Sequence, residues 1–230
     1  MGGDPNQYDK PYLSKDNHPR EAGVIPIVCT EELSRSQHSR MVGFVTMSPK
    51  EKGRTAQESL IGERVHLRPF ARNDLSYVLK WSRDPEIRKL TGEVAPMSSA
   101  EAEEFYRKVR TDKDRTWFAI VLKEGNRVIG ESGLLRMFKP WQCTDMTIII
   151  GEKDAWGQGY GTEARRLVLD YAFKRLGFHR VSIGVVAFNE RALRFWEGLG
   201  FKKEGVQRDG YYCDGRYSDF VMMSILEDEY

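Results

Sequence analysis

The stretch "DAWGQGYGTEARRLVLDYAFKRLG", Asp154 to Gly177, places glycines at 157, 159 and 161 and runs directly into a helical pattern. The first amides of a helix have no internal partner, and the helix dipole puts roughly half a positive charge beside them. With side chains removed from three alternate positions, a phosphate can rest on those amides. The plain alternative is a flexible turn with incidental glycines. "GYGTEA" (Gly159 to Ala164) also fits a G-x-G-x-x-A dinucleotide fingerprint, with Glu190 at the end of the next strand as its acidic partner. Context argues against that reading: Glu152 to Trp156 separate the glycines from their strand, and only 40 residues follow Glu190. No Gly-Lys-Ser/Thr follows the glycines, which excludes a P-loop.

A phosphate turn needs a strand before it and a helix after it. "DMTIIIGE" supplies the strand, and Ala164, Leu167, Val168, Tyr171, Ala172 and Leu176 mark one face of a helix over 162–176, with Gly177 as its stop. Upstream, "RVHLRPF" alternates as a strand, "NDLSYVLKWSRD" is a helix capped by Asn73 or Asp74, and "SSAEAEEFYRKVR" is a second helix capped by Ser98 or Ser99. "TWFAIVLKE" and "RVIGESGLLRM" join "DMTIIIGE" as an antiparallel meander. Downstream come a strand "RVSIGVVAFN", a short helix "ERALRFWEGLG" and a final strand pair with a polar tip. The order β-α-α-β-β-β-α-β-α-β-β describes one mixed α/β domain over 59–230. Residues 1–23 read as a mobile polar arm and 24–58 as an N-terminal extension, either irregular or carrying accessory strands in "VIPIVC" and "MVGFVTM".

Apolar residues at 40%, charged residues at 30% and a net charge of +2 give no strong field for nucleic acid or an anionic membrane. Cys29, Cys143 and Cys213 are odd in number and far apart, so neither a disulfide framework nor a zinc site is signalled. No apolar run approaches the ~18 residues of a membrane span, and the N-terminus has no signal-peptide core. The expected compartment is the reducing cytoplasm.

From about Arg64 to Tyr230 the chain resembles the GNAT superfamily of acetyl-CoA-dependent N-acetyltransferases, nearest the ribosomal-protein-alanine and spermidine acetyltransferase branch. The resemblance rests on "IIIGEKDAWGQGYGTEA", the helix behind it, "NERALRFWEGLGFKKEG" and "YYCDGRYSD". It implies a GNAT-like α/β fold: a mixed, mostly antiparallel sheet with helices on both faces and a splayed central strand pair. It implies acetyl-CoA as co-substrate, no metal, and direct attack in a ternary complex by a small-molecule or peptide amine: polyamine, peptide α-amine, amino acid or amino sugar. Residues 24–57 would lie across the cleft or swap onto a second subunit of a homodimer. The rival reading is a non-catalytic coenzyme A-binding sensor or interaction module, supported by two departures from the family pattern at Trp156 and Trp196.

The resemblance also assigns residues. Pantetheine would insert between "DMTIIIG" and "RVSIGVVAF" along Ile148, Ile149 and Ile150, with the amides of Ile148 and Ile149 polarising the thioester oxygen. The pyrophosphate would lie on Trp156, Gly157, Gln158, Gly159, Tyr160, Gly161 and Thr162. Trp156 stands where the family pattern has Arg or Gln, so binding would lean on the backbone amides from Gly157 to Thr162 more than on a cation, and Arg165, Arg166 and Arg194 are each either a contact to the terminal phosphate or a solvated helix charge. Asn189 would hydrogen-bond the cofactor. For the base, Asp145 comes first, on the same strand face as Thr147 and Ile149; Glu131 is second, and a water chain is the alternative to both. Trp196 occupies the place of a tyrosine acid, so either a hydroxyl (Tyr211, Tyr212 or Tyr217, with Tyr212 preferred) or solvent protonates the thiolate, and Trp196 itself is a cofactor contact or plain packing. Asp209, Asp214 and Asp219 beside those tyrosines, with Phe138 and Trp141, suit a cationic amine.

Overall fold

The structure, a computed structural model, describes residues 57–213 and 215–230. The polar arm, nearly all of the N-terminal extension with its two apolar runs, and Asp214 lie outside the described residues. The strands are β1 (Leu60–Ile61), β2 (Val65–Pro69), β3 (Thr116–Leu122), β4 (Val128–Phe138), β5 (Cys143–Ile150), β6 (Arg180–Val186), β7 (Lys202–Cys213) and β8 (Arg216–Leu226). They form one sheet in the order β1-β2-β3-β4-β5-β6-β8-β7. Every neighbouring pair is antiparallel except β5 and β6.

Helices cover both faces. On one side, α4 (Tyr160–Asp170) sets Val168 and Leu169 against Leu67, Phe118, Ile129 and Leu134. On the other, α1 (Leu75–Ser82) and α3 (Ser99–Thr111) pack Trp81 and Val109 over Trp117, Ala119, Val121 and Leu135. β3 contributes alternate residues to the two layers, which is why it reads as an unbroken apolar run. α4 continues into a π-type turn at Tyr171–Arg175 and stops at Gly177, whose φ of 66° suits glycine.

A further helix, α2 (Pro85–Thr91), lies between α1 and α3. Pro85 is its first residue, where the missing N–H would have no partner anyway. Asp84 caps the amides of Glu86 and Ile87, and Gly92 ends it at φ 82°. Among the expected caps, Ser98 forms a capping box with Glu101. Asp74 instead spends its carboxylate on both Arg68 nitrogens and the amide of Ala71. No helix of the described residues is long and apolar enough to cross a membrane.

The end of β5 is fixed from the α1 side. Gly151 donates to the Ile129 carbonyl at 2.9 Å, and Glu152 accepts from the Trp81 indole at 2.9 Å and from Lys80 at 2.6 Å. A Cβ on Gly151 would sit 2.0 Å from the Trp81 ring. Gly151→Ala must therefore displace a buried indole. It is expected to destabilise the domain by about 1 to 3 kcal/mol, read as a drop in Tm of several degrees; an unchanged Tm would mean that Trp81 does not clamp this strand end.

Candidate active site

β5 and β6 pair only at Cys143–Arg180, Thr144–Val181 and Asp145–Ser182. Beyond that point β5 stays on β4 as far as Ile150, while β6 stays on β8 as far as Val186. The two strands part, and a cleft opens between them. Backbone groups along a strand alternate in direction. The Thr147 carbonyl accepts from Ser132 Oγ at 2.7 Å, the Ile149 carbonyl lies against Gly130, and the Gly151 amide donates to Ile129, all toward β4. Ile148 and Ile150 therefore turn their backbone groups into the cleft. This corrects the expectation that the amides of Ile148 and Ile149 act together, since Ile149 turns its backbone to β4.

The glycine turn closes the wide end of that cleft. Gly157 and Gly159 have φ of 74° and 82°, values that side chains resist, and Gly159 is the N-cap of α4. Among the described residues, no amide from Gly157 to Thr162 donates to a backbone carbonyl; the first helix amide to do so is Glu163, to Gly159 at 3.1 Å. Gly161 is different, because its φ is not positive and an added Cβ would meet only ordinary contacts, Ile150 at 3.6 Å and Phe195 at 3.8 Å. Neither backbone strain nor crowding demands glycine there, so the absence of a side chain leaves the amides open to close approach. The turn thus fits a pyrophosphate.

A residue that sequence reasoning missed holds the turn in this orientation. Arg64 donates to the Gln158 carbonyl at 2.9 Å and lies 4.8 Å from the Tyr160 ring centre. Its own amide and that of Val65 donate to Glu163, at 2.8 Å and 3.2 Å. Burial pushes the Glu163 carboxyl up, but those amides and the Arg64 guanidinium outweigh it and hold the group below its ordinary value. The only sequence signal was a basic residue opening a strand.

The two candidate bases are well separated. Asp145 is the last paired residue before the strands part and is ion-paired to Arg136, a residue at φ 49°. Burial raises its pKa, and the Arg136 charge and hydrogen bond pull it back. Glu131 lies opposite Ile149 in the β4–β5 register, level with the part of β5 that no longer pairs with β6. It is 6% exposed, accepts from the Trp117 indole at 3.1 Å, and is pushed up to about 7, chiefly by burial and further by Glu93 and Asp74. Glu93, on the turn after α2, is itself raised by burial.

The remaining assignments divide. Asn189 caps α5 (Glu190–Glu197) through the Ala192 amide and donates to the Leu90 carbonyl at 2.9 Å. Both of its polar ends are engaged in positioning α5, so it is not placed as a direct cofactor contact. Trp196 is 6% exposed and packs on Phe195 and Phe201, which is the packing alternative. Arg194 is exposed and paired to Glu190 at 3.0 Å. Arg165 is buried and donates to the Leu199 carbonyl. Tyr212 stacks on Tyr217 at the exposed β7–β8 tip, past the end of β6, and is not brought to the cleft. Strand alternation turns Tyr211 inward instead, against Val186 and Phe220. Trp156 donates from its indole to the Ile150 carbonyl at 2.6 Å.

A strand pair that parts over a free-amide turn defines a class, and comparison with known proteins gives the same class. Residues 64–202 match the Acetyltransferase (GNAT) domain family. The chain is 27% identical to N-acetyltransferase p20 of Bacillus licheniformis, over 75% of this chain and 98% of that protein. It is 27% identical to the spermidine N(1)-acetyltransferase of Vibrio cholerae, over 74% of this chain and 97% of that protein. The crystal structure of spermidine N-acetyltransferase from Vibrio cholerae in complex with CoA and spermine superposes with a TM-score of 0.68 at 26% identity, covering 72% of this chain and 97% of that one. The chain belongs to the GNAT acetyltransferase family. It is an acetyl-CoA-dependent N-acetyltransferase that acts on an amine.

Gly161 separates ligand approach from folding. Alanine is the better helix former, by up to about 1 kcal/mol in a helix interior. Gly161→Ala is expected to keep or slightly raise the Tm while weakening CoA binding by roughly tenfold, a loss near 1.4 kcal/mol. Calorimetric titration and thermal melts read both, and unchanged CoA affinity would remove the ligand from this turn.

Proposed function

We propose that the chain transfers the acetyl group of acetyl-CoA to a primary amine of a small cationic acceptor, a polyamine being the best fit, with Glu131 as general base. The observation that carries the base is register: Glu131 sits opposite Ile149, next to the residue whose amide enters the cleft. Asp145 lies four residues back along β5, about 13 Å at strand rise, and its charge is held by Arg136. The acceptor class is supported by the carboxylates of Glu93 and Glu131 and by the named substrates of the similar spermidine acetyltransferases.

Acetyl-CoA, when bound, supplies a thioester carbonyl whose carbon is open to attack. The Ile148 amide, aimed into the cleft, stabilises the oxygen as charge develops on it. Glu131 in its ionised form takes the proton that the amine must lose. As the nitrogen–carbon bond forms, the carbon–sulfur bond breaks, and the thiolate takes its proton from solvent, since Trp196 lacks a useful acid. The tryptophans that favoured a non-catalytic module have structural roles: Trp196 in the core and Trp156 at the mouth of the cleft.

Burial ties activity and stability to pH in opposite senses. Deprotonation of Glu131 should make kcat/KM rise with pH and level off above about 7. Because the folded state holds this proton more tightly than the unfolded chain, stability falls as pH rises from the ordinary value of 4.5 to about 7. Glu131→Gln should abolish the rising limb, lower kcat by roughly 10²- to 10⁴-fold, and melt higher than the unsubstituted protein above pH 7. Asp145→Asn should retain the rising limb. A pH profile lost in Asp145→Asn and kept in Glu131→Gln would reverse the assignment.

A further inference from the structure

At the place where the family pattern has Arg or Gln this chain has Trp156, so the glycine turn has no cationic side chain of its own there. Among the basic groups on the turn and on the elements around it, most are engaged, Arg127 by Asp154 at 2.7 Å. Lys153, 5.8 Å from the Trp156 ring centre, is paired to Asp84 at 2.8 Å and Glu86 at 2.7 Å. Arg64 is paired to Glu163, and Arg194 to Glu190. Arg191 makes no ion pair among the described residues, and its guanidinium lies 4.9 Å from the Trp156 ring centre.

The stack is fixed on both sides. Trp156 is held by its indole bond to the Ile150 carbonyl. Arg191 stands on α5, which is tied down at its start by Asn189 and beyond its end by Arg165 through the Leu199 carbonyl. Phe195 is four residues further along the same helix face, and its ring lies 3.8 Å from the point a Cβ on Gly161 would occupy. One face of α5 therefore looks onto both ends of the turn. Stacking uses the flat face of a guanidinium and leaves its in-plane N–H donors for a phosphate.

From this geometry we infer that Arg191, carried on the ring of Trp156, is the pyrophosphate-binding cation of this chain: the tryptophan keeps the motif's function by presenting a cation from α5. The inference rests on the acetyl-CoA reading above and adds the residue that replaces the motif's side-chain cation. Arg191 is a binding residue for the diphosphate, not for the 3′-phosphate and not for the reacting thioester.

The test uses the full chain and titrates CoA and 3′-dephospho-CoA by calorimetry, with turnover of acetyl-CoA and S-acetyl-pantetheine measured beside it. Arg191→Ala should weaken both CoA and 3′-dephospho-CoA by about tenfold, reduce the salt dependence of binding, and lower the acetyl-CoA to S-acetyl-pantetheine ratio of kcat/KM by a similar factor. In a Trp156→Ala background the same change should have much less effect, because the stack is already lost. Trp156→Arg should restore affinity to Arg191→Ala. Unchanged affinity in Arg191→Ala, strict additivity with Trp156→Ala, or a loss confined to CoA with 3′-dephospho-CoA unaffected would each overturn the inference while leaving the acetyltransferase reading intact. Failure of the unsubstituted chain to bind CoA would overturn both. Melting curves accompany each variant, and Arg191→Gln, which keeps a helix-forming side chain at this exposed position, repeats the titration if the alanine variant folds poorly.

Discussion

An interior sheet normally satisfies its backbone from both sides, and at one place this sheet does not. After Asp145 and Ser182 no ladder bond joins β5 to β6, although each strand remains paired on its outer edge. The backbone groups of Ile148 and Ile150 are thereby presented to a cleft inside the domain, where an unmet hydrogen bond is costly. The Trp156 indole meets one of them, the Ile150 carbonyl. An extended, amide-bearing ligand can meet others as a strand would, which is the physical reason for proposing pantetheine as the occupant of this cleft.

The other parts of the site depend on how that opening is held. Trp81 and Gly151 fix the end of β5, Arg64 holds the Gln158 carbonyl, and Asn189 ties α5 to the last turn of α2 through the Leu90 carbonyl. Glu131 then sits on the face where helices α1 to α3 and the Glu93 turn exclude water, and that exclusion raises its pKa. The same burial weakens the fold when the carboxyl ionises, so in the proposed role as base this one side chain would couple activity to stability.

Much of this was legible in the sequence because it is local. Alternate glycines before a one-faced helix, an isoleucine run and β-branched strands each carry a short-range signature, and they led to the sheet, α4 and the glycine turn between them. The parts that were not legible are contacts between residues distant in the chain. Arg64 meets Glu163 and Asn189 meets Leu90 across 99 residues each, and no spacing rule reaches so far. Tyr211 and Tyr212 could not be told apart because β7 carries register shifts against β8 between Gln207 and Tyr211. The surroundings of Asp145 were hidden for a related reason: alternation gives its strand face, but only the register with β6 reveals that it stands where the strands part, and only the turn at Arg136 supplies the cation paired with it.

The central claim is that a diphosphate rests on the amides from Gly157 to Thr162 while an extended chain engages Ile148 in the cleft. Backbone amide NMR of the full chain during titration with CoA measures both directly. The account predicts saturable shifts at Gly157 to Thr162 and at Ile148, with pantetheine alone moving Ile148 and leaving the glycine turn in place. Shifts confined to other surfaces, or a glycine turn that stays unmoved at saturating CoA, would contradict it.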